Sequence, residues 1–512
     1  MRTFEILLLT ADGLTFLMVI FSFYRSSRLA GCFAVVAVLL GVVQMAIEGP
    51  RWQLYPAYLL TGLNFIIWIL LARPIKNGAV RCARKHRVMA VFVFAVSAAV
   101  LVIAIALPLA LPVFAFPTPS GSYAIGTVTY HWTDTGRLEV FGTVPRKSRE
   151  LMVQIWYPAK VSTYHDHYVD DADVLATAQG RLYGLPAFTF AHLKYVKTNA
   201  SPSALVSANQ PNYPVLIFLE GITGYRQMNT FQVEELVSQG YIVVAIDQPY
   251  VAASVVFPGR RAVGGLLKEQ MDPLIRQSIS PSVKVPTLNG RTFANGIIPY
   301  LAEDISFVID QLAAVDSSDE TSILRGKLDM QRVGVFGVSL GGIVVGEACH
   351  SDLRLMACLA MDAPMSATVR RSGLRQPTMW ITRDAKTMRL EGWSEPDIVQ
   401  HQTTMRSAFE RSQGDGYFVS IAGMFHANLT DVPLYSPLTS RLGITGPIDS
   451  QRAHLIINAY SRVFFDRHLQ GKPAFLLDRS RKPFAEVTLE KSPPRAKPSP
   501  LANGRAAPLQ TW

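Results

Sequence analysis

Val333-Gly-Val-Phe-Gly-Val-Ser-Leu-Gly-Gly342 decides the fold. Its first four residues read as a short buried strand. Gly337, Val338, Ser339, Leu340 and Gly341 then form a G-x-S-x-G turn that throws the chain into a helix beginning at Gly342-Ile-Val-Val345. A turn that tight leaves no room for side chains two residues before and two after the serine, which is why glycine stands at both places. Ser339 is thereby held up at the carboxyl edge of a sheet, at the amino end of a helix whose dipole favours developing negative charge. The expected role of Ser339 is nucleophile.

Outward from this turn the chain alternates strands and helices. Upstream, Val215–Leu219 is a continuous apolar run, as a parallel strand buried on both faces requires. A helix is expected over 229–239, a strand over Tyr241–Ile246 ending at Asp247, and a helix over Ile298–Val315. Downstream come a helix over 340–350, strands Leu355–Met361 and Pro377–Thr382, a helix over 395–412, strand Tyr417–Ile421 and a closing amphipathic helix over 451–469. This order predicts an α/β class with a doubly wound, mostly parallel sheet. Three further strands are expected over Tyr123–His131, Leu138–Val144 and Leu151–Tyr157. Residues 159–212 lack a clean period and read as an insertion over the site entrance, and 251–297 read as irregular.

A serine hydroxyl needs a base to take its proton and a third group to orient that base. His426, in Phe425-His-Ala-Asn428, follows the last predicted parallel strand and precedes the closing helix, where the base belongs. His350, His401, His454 and His468 fall in or beside predicted helices and read as surface or packing residues. Two carboxylates can be the acid: Asp362 after strand 355–361, and Asp384 after strand 377–382. An oxyanion hole needs two backbone N–H groups. Leu340, next to the serine, supplies one. Ile222, in Glu220-Gly-Ile-Thr-Gly224 after strand 215–219, supplies the other.

The chain has 512 residues, 49% of them hydrophobic, and a net charge of +11. Residues 1–117 carry ten Lys/Arg against three Asp/Glu, residues 477–512 seven against three, and the middle is neutral. That distribution excludes a nucleic-acid partner and points to membrane flanks and a tail. Four apolar runs, Phe4–Tyr24, Leu29–Ile47, Leu54–Leu71 and Val88–Phe116, are each long enough to cross a bilayer core of about 20 residues. They predict an all-α bundle of four transmembrane helices over 1–117. Arg73, Lys76, Arg81, Arg84, Lys85 and Arg87 between the third and fourth runs put that loop in the cytoplasm, and everything after Phe116 on the periplasmic or extracellular side. Residues 118–476 form the catalytic domain, and 477–512 a basic Pro/Ala-rich tail expected to be largely disordered. The cysteines lack metal spacing, and Cys349 and Cys358 read as buried free thiols in preference to a disulfide. His165-Asp-His167 with Asp170, Asp171 and Asp173 reads as a polar loop, not a metal site. No metal or cofactor is implied.

The quoted pieces resemble the secreted-type platelet-activating factor acetylhydrolases, a branch of the α/β-hydrolase fold. They are Tyr213-Pro-Val-Leu-Ile-Phe218, Gly221-Ile222 with Tyr225-Arg226, the serine turn, Leu359-Ala-Met-Asp-Ala363, Gln376-Pro377, His426-Ala-Asn428 with Asp431, and Phe464-Phe-Asp-Arg-His-Leu-Gln-Gly471. The resemblance spans about 120–475. It implies Ser339 as nucleophile, Asp362 as acid, His426 as base, and Ile222 and Leu340 as oxyanion donors. One departure is Glu220, where the family has histidine; an acid there disfavours anionic headgroups or alters loop packing. The expected function is a membrane-anchored serine hydrolase of carboxylic esters, with short-acyl lipid or phospholipid esters as substrate. Two alternatives are an acyltransferase using the same acyl-enzyme on an envelope lipid or sugar, and a non-catalytic membrane binding protein with a hydrolase-like domain.

Overall fold

The computed structural model describes residues 1–22, 27–72, 83–144, 146–161, 164–478 and 483–493. The basic residues Arg25, Arg73, Lys76 and Arg81, and the tail beyond Pro493, lie outside the described residues.

Four helices open the chain: α1 (Thr3–Ser22), α2 (Ser27–Ile47), α3 (Tyr55–Ala72) and α4 (Ala83–Ala110). Polar and apolar side chains share their interior, where Leu8, Leu9, Ala57 and Ala104 form a buried apolar cluster, and large apolar side chains stand on their outer surface. Asp12, Thr15, Gln44, Asn64 and Ser97 are buried between helices, while Leu39, Leu59, Ile66, Val91, Phe92 and Val102 are exposed. Thr61 Oγ1 donates to Asp12 Oδ1 at 2.8 Å, and Tyr58 donates to Gln44 Oε1 at 2.6 Å, so two of the inward polar groups find side-chain partners across the helices. Among the described residues one helical stretch, Val91–Ala110, is long and apolar enough to cross a membrane, against the four expected; Gly31–Ile47 is apolar but shorter. Arg51 ties one end of the bundle together, donating to Glu5 near the start of α1 and to the carbonyl of Leu111 just past α4.

After the linker, a ten-stranded sheet organises the rest. Its strands are β1 (Ala124–Leu138), β2 (Ser148–Ala159), β3 (Ala200–Pro202), β4 (Tyr213–Leu219), β5 (Ile242–Asp247), β6 (Leu328–Val338), β7 (Leu355–Met361), β8 (Thr378–Thr382), β9 (Gly416–Ile421) and β10 (Val487–Lys491). The spatial order is β10-β9-β8-β7-β6-β4-β5-β2-β1-β3. Strands β5, β4, β6, β7, β8 and β9 are mutually parallel; β2 joins β5, and β10 joins β9, antiparallel. Alternate residues of each central strand supply two cores. Val215, Ile217 and Leu219 face helices 298–317, 340–351 and 395–411, whereas Leu216 and Phe218 face helices 230–238 and 450–470. This is the doubly wound arrangement that the continuous apolar runs predict.

Four expectations change. The chain over 138–144 is not a separate strand: β1 ends at Leu138, and Glu139 turns inward to pair with buried Arg149 at 2.7 Å. The 251–297 region holds a hairpin (Ser254–Phe257 with Arg261–Gly264) and a helix, Lys268–Ile279, whose pattern Pro273 obscures. The sheet continues past 476, because Val487–Lys491 pairs antiparallel with Tyr417–Ile421 as an added edge strand. Cys349 and Cys358 form a disulfide that joins helix 340–351 to β7, across a Cα separation of 6.6 Å.

Candidate active site

Ser339 ends the central strand with φ 57° and ψ −124°, a backbone state disfavoured for any residue with a Cβ. Its surroundings enforce that state. A Cβ on Gly341 would sit 2.3 Å from the Leu219 carbonyl oxygen, and one on Gly337 would sit 2.6 Å from the Gly341 carbonyl carbon. A Cβ on Gly221 would meet the Ser339 Cβ at 2.9 Å, so the loop after β4 lies directly against the serine. Ser339 N–H bonds the Met361 carbonyl at 2.9 Å, tying the turn to β7.

Asp362, one residue beyond β7, is buried with φ 47°. Each of its oxygens takes two partners. Oδ2 accepts from His426 Nδ1 at 2.6 Å and from Arg383 Nε at 2.9 Å; Oδ1 accepts from His401 Nε2 at 3.0 Å and from Thr382 Oγ1 at 3.0 Å. Burial alone would raise this carboxyl's pKa. The Arg383 guanidinium and the hydrogen-bonded imidazoles of His401 and His426 outweigh it and hold the group well below the usual carboxylate range. His426 starts a short 3-10 turn, and its backbone N–H donates to Glu391 Oε1 at 3.1 Å. Arg383, fully buried, pairs with Glu391 and lies 4.6 Å from the centre of the Trp393 ring. The Trp393 ring also stands edge-on to His401 at 5.4 Å.

The other expected acid does something else. Asp384 accepts the Thr387 N–H at 2.7 Å and caps helix 385–390.

Ser339, Leu340, Ile222, Asp362 and His426 all line one open cavity of about 800 Å³. Ser339 and His426 share its wall, and no hydrogen bond joins them among the described residues. The rest of the wall is mixed: Ile275, Ile279, Ile343, Trp393 and Leu182 with Tyr183 of helix 172–183 form its apolar part, and Lys268, Glu269, Asp272, Arg276 and Asp397 its charged part. The 159–212 segment therefore contributes a helix and one side of the cavity. Its His165 and His167 rings are engaged elsewhere, each Nδ1 on a backbone carbonyl at 2.9 Å.

Glu220 does not face this cavity. Its carboxyl is buried beside Asp247 with no hydrogen-bond partner among the described residues. Burial, and then the Asp247 charge, push its pKa well above the carboxylate range, so it is held protonated.

Sequence reasoning missed His401, Arg383 and Trp393. A signal existed for the first. Ile398, His401, Thr404, Met405 and Ala408 recur at helical spacing and form the buried face of helix 395–411. A histidine on an apolar face needs a polar partner, and here it is the acid.

A strained serine on a strand-to-helix turn, with a carboxylate-bound histidine on the same cavity wall, defines the α/β-hydrolase class of carboxylic ester hydrolases. The chain belongs to the platelet-activating factor acetylhydrolase, isoform II, family, whose model matches residues 115–477. It is 23% identical over 304 residues to the platelet-activating factor acetylhydrolase of Gallus gallus, covering 55% of this chain and 68% of that one. The Cavia porcellus enzyme is 24% identical over 276 residues, with 50% and 58% covered. Among solved structures, a ferulic acid esterase from Streptomyces cinnamoneus superposes with a TM-score of 0.58 at 27% identity, over 73% of this chain and 99% of its own. The protein is an ester-cleaving hydrolase.

Proposed function

We propose that the protein is a membrane-anchored serine esterase acting through Ser339, His426 and Asp362 on short-acyl lipid esters, with its catalytic domain on the outer side of the cell membrane. The observation that carries the relay is the 2.6 Å bond between His426 Nδ1 and Asp362 Oδ2 on the wall that holds Ser339. With Nδ1 donating to the carboxylate, Nε2 is left as the base. Ser339 Oγ attacks the ester carbonyl carbon and passes its proton to His426 Nε2. The carbonyl oxygen, now an anion, takes hydrogen bonds from the backbone N–H groups of Ile222 and Leu340. Collapse breaks the acyl–oxygen bond, and the departing alkoxide takes the proton from His426. Water, deprotonated by the same imidazole, then attacks the acyl-serine; the acyl–Oγ bond breaks, Ser339 Oγ takes the proton back from His426, and the acid is released.

Anchoring is supported by the large apolar side chains exposed on the outside of the bundle, among them Leu39, Leu59, Ile66, Phe92 and Val102. The outer location is supported by the charge of the 73–87 loop and by the Cys349–Cys358 disulfide, a bond that persists in oxidising compartments. The apolar part of the cavity wall, Leu182, Ile275, Ile279, Ile343 and Trp393, suits an acyl chain. The test is turnover of p-nitrophenyl acetate together with fluorophosphonate labelling. The wild type is expected to release nitrophenol and to carry the label on the Ser339 peptide. Ser339→Ala is expected to do neither, and residual turnover in that variant would refute the assignment.

A further inference from the structure

The helix that lines one side of the cavity ends at Tyr183, and the chain then runs Tyr183-Gly-Leu-Pro-Ala-Phe188 across the surface. All six residues are exposed, including Tyr183 at 53%, Leu185 at 47% and Phe188 at 52%. Six consecutive exposed residues with three large apolar side chains are unusual on a surface that meets only water. The two ends of the run touch two different things. Tyr183 lines the reaction cavity. Phe188 stacks edge-on against Trp52 at 4.9 Å, at the tip of the α2–α3 hairpin.

The hairpin contact continues. Tyr195 donates to the Pro50 carbonyl at 2.6 Å, and its ring lies 4.7 Å from the Arg2 guanidinium. Gly49 has φ 79°, and a Cβ there would meet the Tyr195 ring at 2.7 Å. The segment 187–195 is thus seated on the end of the helical bundle that Arg51 gathers. That end carries Trp52, Tyr55 and Tyr195 beside Arg2 and Arg51, the mix of aromatic and basic side chains that marks a membrane–water boundary.

We propose that Tyr183–Phe188 is the lipid-contacting lip of the cavity, lying in the outer headgroup layer of the bilayer, and that an ester lipid passes over it from the bilayer to Ser339. This rests on the anchored-esterase reading and adds to it the route and the surface. The occupant is lipid and not a second protein because the run is continuous with the aromatic boundary of the bundle, whose described flanks expose large apolar side chains on all four helices.

The test uses the full-length protein reconstituted in phosphatidylcholine vesicles and compares two esters: water-soluble p-nitrophenyl acetate, and a long-chain glycerolipid acetate held in the vesicles. Leu185→Ser with Phe188→Ser is expected to lower kcat/KM on the vesicle ester roughly tenfold and to leave the soluble ester within twofold. An equal fall on both esters, or no fall on either, overturns the proposal. A second measurement is independent of turnover. A nitroxide attached at Leu185→Cys, with Cys32→Ser and Cys82→Ser, is expected to be relaxed by oxygen more than by a water-soluble nickel chelate. Stronger relaxation by nickel, or shielding from both, overturns the proposal. A wild type that hydrolyses neither ester and takes no fluorophosphonate refutes the esterase reading, and the nitroxide still reports where the run lies.

Discussion

His401 Nε2 lies 3.0 Å from Asp362 Oδ1, on the oxygen opposite the one that His426 Nδ1 meets at 2.6 Å. One carboxylate therefore holds two imidazoles, and Arg383 balances its charge from below. In the proposed relay His401 acts through Asp362, as a positioning residue. A hydrogen bond to a charged group contributes about 1.5–3 kcal/mol, so His401→Phe should lower kcat about tenfold to a hundredfold with KM little changed. His401→Gln, which keeps a donor, should recover part of the loss. Steady-state kinetics on p-nitrophenyl acetate beside a melting curve checks this; a variant that loses stability but not kcat would show that the contact is only structural.

Asp362 and Asp384 should separate sharply. Asp362→Asn frees His426 to adopt the wrong tautomer, and by analogy with the trypsin-type triad kcat should fall about ten-thousandfold. Asp384→Ala removes only the cap on the Thr387 N–H and should cost about 1 kcal/mol of stability with kcat unchanged. Kinetics and chemical unfolding of the two variants read both outcomes.

Glu220 makes stability depend on pH in a definite direction. Its folded-state pKa lies above the unfolded value, so the unfolded chain gives up this proton first as pH rises. Stability from this group is therefore present below the unfolded carboxyl pKa of about 4.3 and is lost as pH rises toward the folded value. Glu220→Gln removes the titration. The melting temperature of the variant relative to wild type should increase steadily from pH 4 to pH 8 (roughly the window above the unfolded pKa), whatever constant offset the buried amide adds. A difference that stays flat with pH would show that Glu220 is not held protonated.

The Cys349–Cys358 bond closes a loop of sequence separation 9 between helix 340–351 and β7, the two elements that flank Ser339 and Asp362. A loop of that size contributes about 2–3 kcal/mol through restriction of the unfolded chain. Dithiothreitol should lower the melting temperature of the wild type and leave that of a Cys349→Ala, Cys358→Ala double variant unchanged.

What the sequence determined by itself is local and periodic. The glycines around Ser339 had to be small because backbone atoms of β4 and of the turn itself fill the space a Cβ would take. The uninterrupted apolar strands had to lie between two helical layers, since no single-sided sheet could cover them. Order along the chain then located His426 after the last parallel strand and Leu340 next to the nucleophile. Chain order left Asp362 and Asp384 both open, the family resemblance favoured Asp362, and the tertiary structure adds the contact of Asp362 with His426. Both follow neighbouring parallel strands, and only the relative reach of their loops separates a carboxylate under an imidazole from one folded back onto its own helix. It also decided the partners of Asp362, which come from β8, the loop after it, helix 395–411 and the His426 turn, and the burial of Glu220 away from the cavity. Hydrogen bonds and charge pairs form between groups brought together by the sheet order, and that proximity is set by packing across tens to hundreds of residues, where no local pattern records it.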